Sequence, residues 1–179
     1  MPQMTPESES ASQAHDFLHT LIMPLIAPTV KVSQPPDPSG IGIKVRDGEI
    51  ILLASQRNMG AVIGRGGSMV TALRQLIKPF GWGLQVPSIA PPELFTAPIT
   101  PTPDVREIVI GWLDARYGPE AYRLAGEPES PRWDVFVHPS HYNETDASAL
   151  DTWAYCAARA QGGFLQVRLQ PGGIAKLST

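Results

Sequence analysis

The chain has 179 residues, 42% of them hydrophobic and 17% charged, enough to bury one larger core or two small ones. A formal net charge of -3 and a pI near 5.8 exclude a surface that is basic throughout, so any site for a polyanion has to be local. The single cysteine, Cys156, excludes an internal disulfide, gives no support to a zinc cluster and fits a reducing compartment, with the cytoplasm as the default.

In chain order, residues 1–14 are polar and acidic and read as a disordered tail, without a basic start followed by an apolar stretch. No apolar run approaches the roughly 20 residues that span a bilayer, so no membrane partner is expected. Asp16 to Ile26 places Phe17, Leu18, Leu21, Ile22 and Leu25 at helical spacing; Asp16 is a capping residue and Pro24 is expected to end or kink the helix. Thr29 to Ser33 alternates apolar and polar residues, and 35–40 is rich in turn formers. Ile41, Ile43 and Val45 alternate again, Asp47-Gly48 signals a hairpin, and Glu49 to Ser55 reads as a buried strand.

Two short helical runs then flank Gly64-Arg65-Gly66-Gly67, the second presenting Val70, Leu73, Leu76 and Ile77 on one face and stopping at Pro79. Glycines in such a turn let main-chain amides approach a ligand, and Ser68 opens a helix whose first amides lack internal partners, a geometry suited to phosphate. The charge pattern agrees. From Arg57 through Val86 the chain carries Arg57, Arg65, Arg74 and Lys78 and no acid, whereas 104–179 holds ten acidic residues against seven basic ones. Leu84 to Val86 reads as a further strand, and 87–103 contains six prolines and reads as a semi-extended linker.

The order helix, strand, strand, helix, helix, strand, together with Val62-Ile63-Gly64-Arg65-Gly66-Gly67-Ser68-Met69-Val70, resembles a type II KH domain. These residues match two apolar positions, a GxxG loop and an apolar position beyond it; Leu73, Arg74 and Leu76 continue the match. Length and order are most similar to small bacterial stand-alone KH RNA-binding proteins, over residues 16–88. The resemblance implies an α+β fold and single-stranded RNA, or less often DNA, clamped at its backbone by the loop. Arg65 would meet a phosphate, with amides near Gly66, Gly67 and Ser68 donating to it. Bases would lie along Val62, Ile63 and Val70, with Asn58 and Gln85 reading edges, and Arg57 and Arg74 complete the expected interface. The plainer reading is a glycine turn that only permits close helix packing, with Arg57, Arg74 and Lys78 on a solvated face. The spacings of a P-loop and of a dinucleotide fingerprint are absent.

In the second half, Asp104 to Tyr117 reads as a helix, Ala121 to Leu124 and Arg132 to Val137 as strands, a helix capped by Thr145 or Asp146 runs to Ala160, and Phe164 to Leu169 is a last strand. This order echoes the first half, and 162–167 loosely repeats 81–86, so the half is expected to be a diverged KH-like unit in which 139–146 replaces the clamp. His138, His141, Glu144 and Asp146 match no standard metal spacing and read as a solvated loop with capping carboxylates. Cys156, Trp112, Trp133 and Trp153 read as core or near-core residues.

The expected organisation is therefore a tail (1–14), a type II KH domain (15–88), a linker (89–103) and a C-terminal α/β module (104–179). The expected function is non-catalytic binding of single-stranded RNA, with no cofactor and no metal. The competing reading is a structural or adaptor subunit of a ribonucleoprotein or transcription assembly, docking protein through the C-terminal module, as a homo- or hetero-oligomer.

Overall fold

Asp47 and Gly48 both adopt positive φ, 52° and 77°, the combination that lets a two-residue turn follow the right-handed twist of a hairpin. It joins β1 (Ile41–Arg46) to β2 (Glu49–Ala54), paired antiparallel from Ile41↔Ala54 to Arg46↔Glu49. The computed structural model describes residues 6–26, 41–54, 56–85, 87–89 and 104–172. The alternating stretch 29–33, the turn-rich stretch 35–40 and the linker residues 90–103 lie outside the described residues.

β3 (Gly83–Leu84) and β4 (Ser88–Ile89) both run parallel to β2, through Glu49↔Gly83, Ile50↔Leu84, Leu53↔Ser88 and Ala54↔Ile89. From the first pairings to the second the edge advances four residues, Leu84 to Ser88, against three on β2, Ile50 to Leu53. The crossover from β2 is made by α2 (Gln56–Ile63) and α3 (Ser68–Ile77).

α1 (Pro6–Ile26) starts ten residues before the expected Asp16, so residues 6–14 are helical and not a disordered tail. Proline suits a first helical turn, where its missing N–H costs nothing, and Ala14 extends the buried stripe of Leu18, Leu21, Ile22 and Leu25 by one more turn. Nor does Pro24 end the helix. Carbonyls around it find acceptor roles outside α1: Leu21 O receives the indole N–H of Trp153 at 2.8 Å, and Pro24 O receives Nε2 of Gln161 at 2.8 Å.

The second half has the same order and pairing sense. α4 (Val105–Tyr117) is capped by Asp104, whose carboxylate accepts from Arg106 N at 2.8 Å. β5 (Tyr122–Ala125) pairs antiparallel with β6 (Arg132–Val137), and β7 (Gln166–Pro171) pairs parallel with β6 over Arg132↔Gln166 to Val137↔Pro171. The crossover helix α5 (Glu144–Ala160) is capped by Asn143, not by the expected Thr145 or Asp146; Asn143 Oδ1 accepts from the amides of both. The last strand begins two residues later than expected, because Leu165 is already buried at the end of the turn.

Along β6, Trp133, Val135 and Val137 are buried while the alternate residues face outward, so the helices cover one side of each sheet. α3 packs along α5 and α1 against both α4 and α5, and the buried side chains of the two halves form one continuous core. Trp112 and Trp153, each at most 1% exposed, donate across the boundary to main-chain carbonyls of Leu76 (2.9 Å) and Leu21. Each bond satisfies a buried donor and adds about 1 kcal/mol to the apolar burial around it. The α+β class is as expected, and the three tryptophans are core. No described helix is long and apolar enough to cross a membrane.

Candidate nucleic-acid interface

α2 ends at Ile63 because Gly64 leaves helical space at φ 73° and ψ 170°, a region open only to glycine. Gly66 (φ 62°) and Gly67 (φ 79°) follow in left-handed conformations, and α3 begins immediately afterwards. Their reasons for being glycine differ. A Cβ on Gly64 would lie 2.7 Å from both Cβ and N of Met69, so this residue is where α2 lies against the first turn of α3. A Cβ on Gly66 would meet nothing within 4 Å; Gly66 and Arg65 form the exposed tip of the turn.

The turn holds itself together. Gly64 N donates to Gly60 O at 2.9 Å, Gly67 N to Gly64 O at 3.2 Å, and Ser68 N to Arg65 O. The amides of Gly67 and Ser68 thus have partners within the turn, so they are not the open donors that the sequence suggested. A short 3₁₀ turn spends these amides on tightening the junction. What faces solvent is the Arg65 guanidinium, the main chain of Gly66 and the Ser68 side chain.

The remaining expected contacts divide sharply. Val62 is 0% exposed and Val70 8%, so both belong to the core and neither floors an open groove. The α2–α3 junction turns both positions into the core cluster, leaving Ile63 as the half-buried apolar residue beside the turn. Asn58 is 5% exposed, a buried polar residue and not an edge reader, whereas Gln85 is exposed. Arg74 donates through Nε to Leu84 O at 2.9 Å, which ties α3 to β3 and orients the guanidinium along that edge. The side chain of Arg57 lies outside the described residues. Lys78 is exposed at the far end of α3.

In the second half, the position after β6 carries no such turn. His138 and His141 stack edge-on with ring centroids 6.1 Å apart, and His138 Nδ1 lies 2.6 Å from Ser140 Oγ. Asp146, 0% exposed, accepts from Gln75 Nε2 at 2.7 Å and from Arg116 Nε at 3.2 Å. It is a bridge between α3, α4 and α5 and not a capping carboxylate of a solvated loop, a role hidden in the sequence because its partners lie 71 and 30 residues away. No group of three or more metal-ligating side chains comes together among the described residues. Burial raises the Cys156 thiol above its ordinary pKa, which disfavours the thiolate.

An open apolar cleft of about 370 Å³ lies between α1 and α4, lined by Phe17, Leu21, Ile108, Gly111 and Trp112. Among the described residues that line it, Glu107 is the ionisable one. Comparison with protein-family models, with curated proteins and with solved structures yields no match.

Proposed function

We propose that this chain is a non-catalytic binder of single-stranded RNA, acting in the cytoplasm, with a first half of type II KH character. The observation that carries the reading is the solvent-facing tip Arg65-Gly66 in a three-glycine turn between two helices, set in an acid-free segment. Supporting it, two strands antiparallel, two crossover helices and a returning parallel strand form the arrangement expected of that family. Arg65 supplies a charge-assisted contact to a phosphate, and bare main chain at Gly66 lets the strand approach closely. Ile63 offers apolar contact to a base edge, and Gln85 polar contact.

The test is fluorescence anisotropy of labelled single-stranded RNA with Arg65→Asp and Gly66→Asp combined. Aspartate tolerates the left-handed conformation at position 66 and has open space there, so the fold survives. Binding at the clamp is expected to be lost, and with about three phosphates engaged there its contribution to the log-log salt slope of the wild type should be roughly -2. Unchanged affinity in the folded double variant would falsify the clamp.

A second reading, a protein-docking subunit of a ribonucleoprotein or transcription assembly, draws on the exposed apolar side chains Ile110, Tyr155 and Phe164 in the second half. Native mass spectrometry of the complex from its host separates the two readings.

A further inference from the structure

The outer side of the second sheet carries side chains that the helices do not use. Strand register places Arg123 opposite Phe136 and Arg168 beside Asp134, and Gln170 beside Phe136. All alternate with the buried Trp133, Val135, Val137, Val167 and Leu169, which fixes them on the outward face. The Arg123 guanidinium stacks over the Phe136 ring at 4.8 Å, and Arg123, Arg132 and Arg168 are exposed. Among the described residues of the three strands, the outward face sets one carboxylate beside these cations, Asp134, which is engaged by Gln170 Nε2 at 2.9 Å and lies 4.0 Å from Arg132 Nε. Glu127 and Glu129 lie in the β5–β6 turn, at the opposite end of the hairpin from Arg123 and Phe136.

This concentration is unusual for the chain. Residues 104–179 are acidic overall, yet three of their seven basic residues lie on this one face. A ring interleaved with guanidinium groups and amides suits the alternation of flat base and charged phosphate in an unpaired nucleic acid strand. An acidic peptide would use the arginines but leave the ring and the amides without a role.

We infer that the outer face of β5–β6–β7, centred on the Arg123–Phe136 pair, is a second contact surface for single-stranded nucleic acid, separate from the Gly64–Gly67 turn. Bases stack on Phe136, while Arg123, Arg168 and Arg132 take phosphates and Gln170 meets base edges.

The probe is a fluorescein-labelled oligouridylate of roughly twelve nucleotides, long enough for such a platform. With the full chain, Phe136→Leu is expected to weaken binding about tenfold, the loss of one stacked base. Arg123→Glu with Arg168→Glu should weaken it further and flatten the log-log salt slope by about 1.4, two phosphate contacts at about 0.7 each. Ultraviolet crosslinking should place a nucleotide adduct on the peptide that contains Phe136. Circular dichroism establishes that each variant is folded; should the charge reversal unfold the chain, Phe136→Leu and the crosslink decide.

The same crosslink in the Arg65→Asp, Gly66→Asp background keeps this surface distinct from the clamp: an adduct that persists there supports the inference even if the clamp reading fails. Folded variants with wild-type affinity and no adduct on that peptide overturn it. Displacement of the oligonucleotide by poly-glutamate as effectively as by unlabelled RNA also overturns it, and assigns the face to an acidic protein.

Discussion

Gly64 and Gly66 are two residues apart, share a positive φ and have different reasons to be glycine. Alanine at 64 would carry a φ of 73° and a Cβ 2.7 Å from Met69 N, backbone that cannot move aside without shifting α3. Gly64→Ala should therefore cost about 3 kcal/mol in urea unfolding, whereas Gly66→Ala, with open space around it, should cost about 1 kcal/mol for the left-handed backbone alone. Equal costs would mean that Gly64 does not hold the α2–α3 junction. Two tyrosines carry the pH dependence that can be argued. Tyr117 is pushed up to about 12 chiefly by burial, with the Asp146 charge adding to it. Tyr122 is pushed up to about 12 by burial and by its 2.7 Å bond to Asp114 Oδ1. A raised phenol favours the neutral form in the folded chain, so this stabilisation is complete below the unfolded value of 10 and disappears as pH rises to 12. Phenolate absorbance should show both groups ionising near 12, and Tyr122→Phe should remove one of them; ionisation of both near 10 in the folded chain would contradict the burial of these hydroxyls.

At the scale of elements, the readable signals were those confined to a few neighbouring residues. Asp47-Gly48 announces its own turn, and the stripe Val70, Leu73, Leu76 and Ile77 its buried face. Errors arose where a distant partner decides. Pro24 stays inside α1, where Trp153 and Gln161, far off in the sequence, donate to the carbonyls of Leu21 and of Pro24 itself and dock this end of the helix on the second half. The sequence puts Val62 in an apolar groove and Asn58 at base edges, yet two helices meeting at a glycine turn have a fixed phase only once packed, and the packing turns both inward. The outward row on β5–β7 was missed for a similar reason: Arg123 and Phe136 are thirteen residues apart and become neighbours only through strand register. The cap of α5 tests the local kind of reasoning. Asn143 Oδ1 holds two of the orphan amides that open this helix, so Asn143→Ala should cost about 1 kcal/mol by chemical denaturation. Thr145→Ala should be nearly neutral, and a larger loss at Thr145 would return the cap to the position that the sequence suggested.

On the scale of the whole molecule, the two halves repeat one topology and are joined through their helical sides, so that each sheet has one outer face. Apolar packing of α3 on α5 supplies the bulk of the attraction, but it does not by itself fix how the helices are set along each other. Asp146 does that, since its two carboxylate oxygens reach Gln75 on α3 and Arg116 on α4 from the first turn of α5. Removing one member of a buried pair strands the other charge, here an Arg116 side chain 29% exposed. Asp146→Ala should therefore cost about 3 kcal/mol, whereas replacing Asp146, Gln75 and Arg116 together by leucine, leucine and methionine should come close to wild type in stability. Hydrogen exchange gives the decisive reading, because the bridge spans the halves: in Asp146→Ala the amides of α3 should lose protection together with those of α5, although Gln75 of α3 lies 71 residues away in sequence. Protection of α3 that stays at the wild-type level while α5 opens would mean that the halves fold and function as independent units, and that the turn at Gly64–Gly67 is positioned by the first half alone.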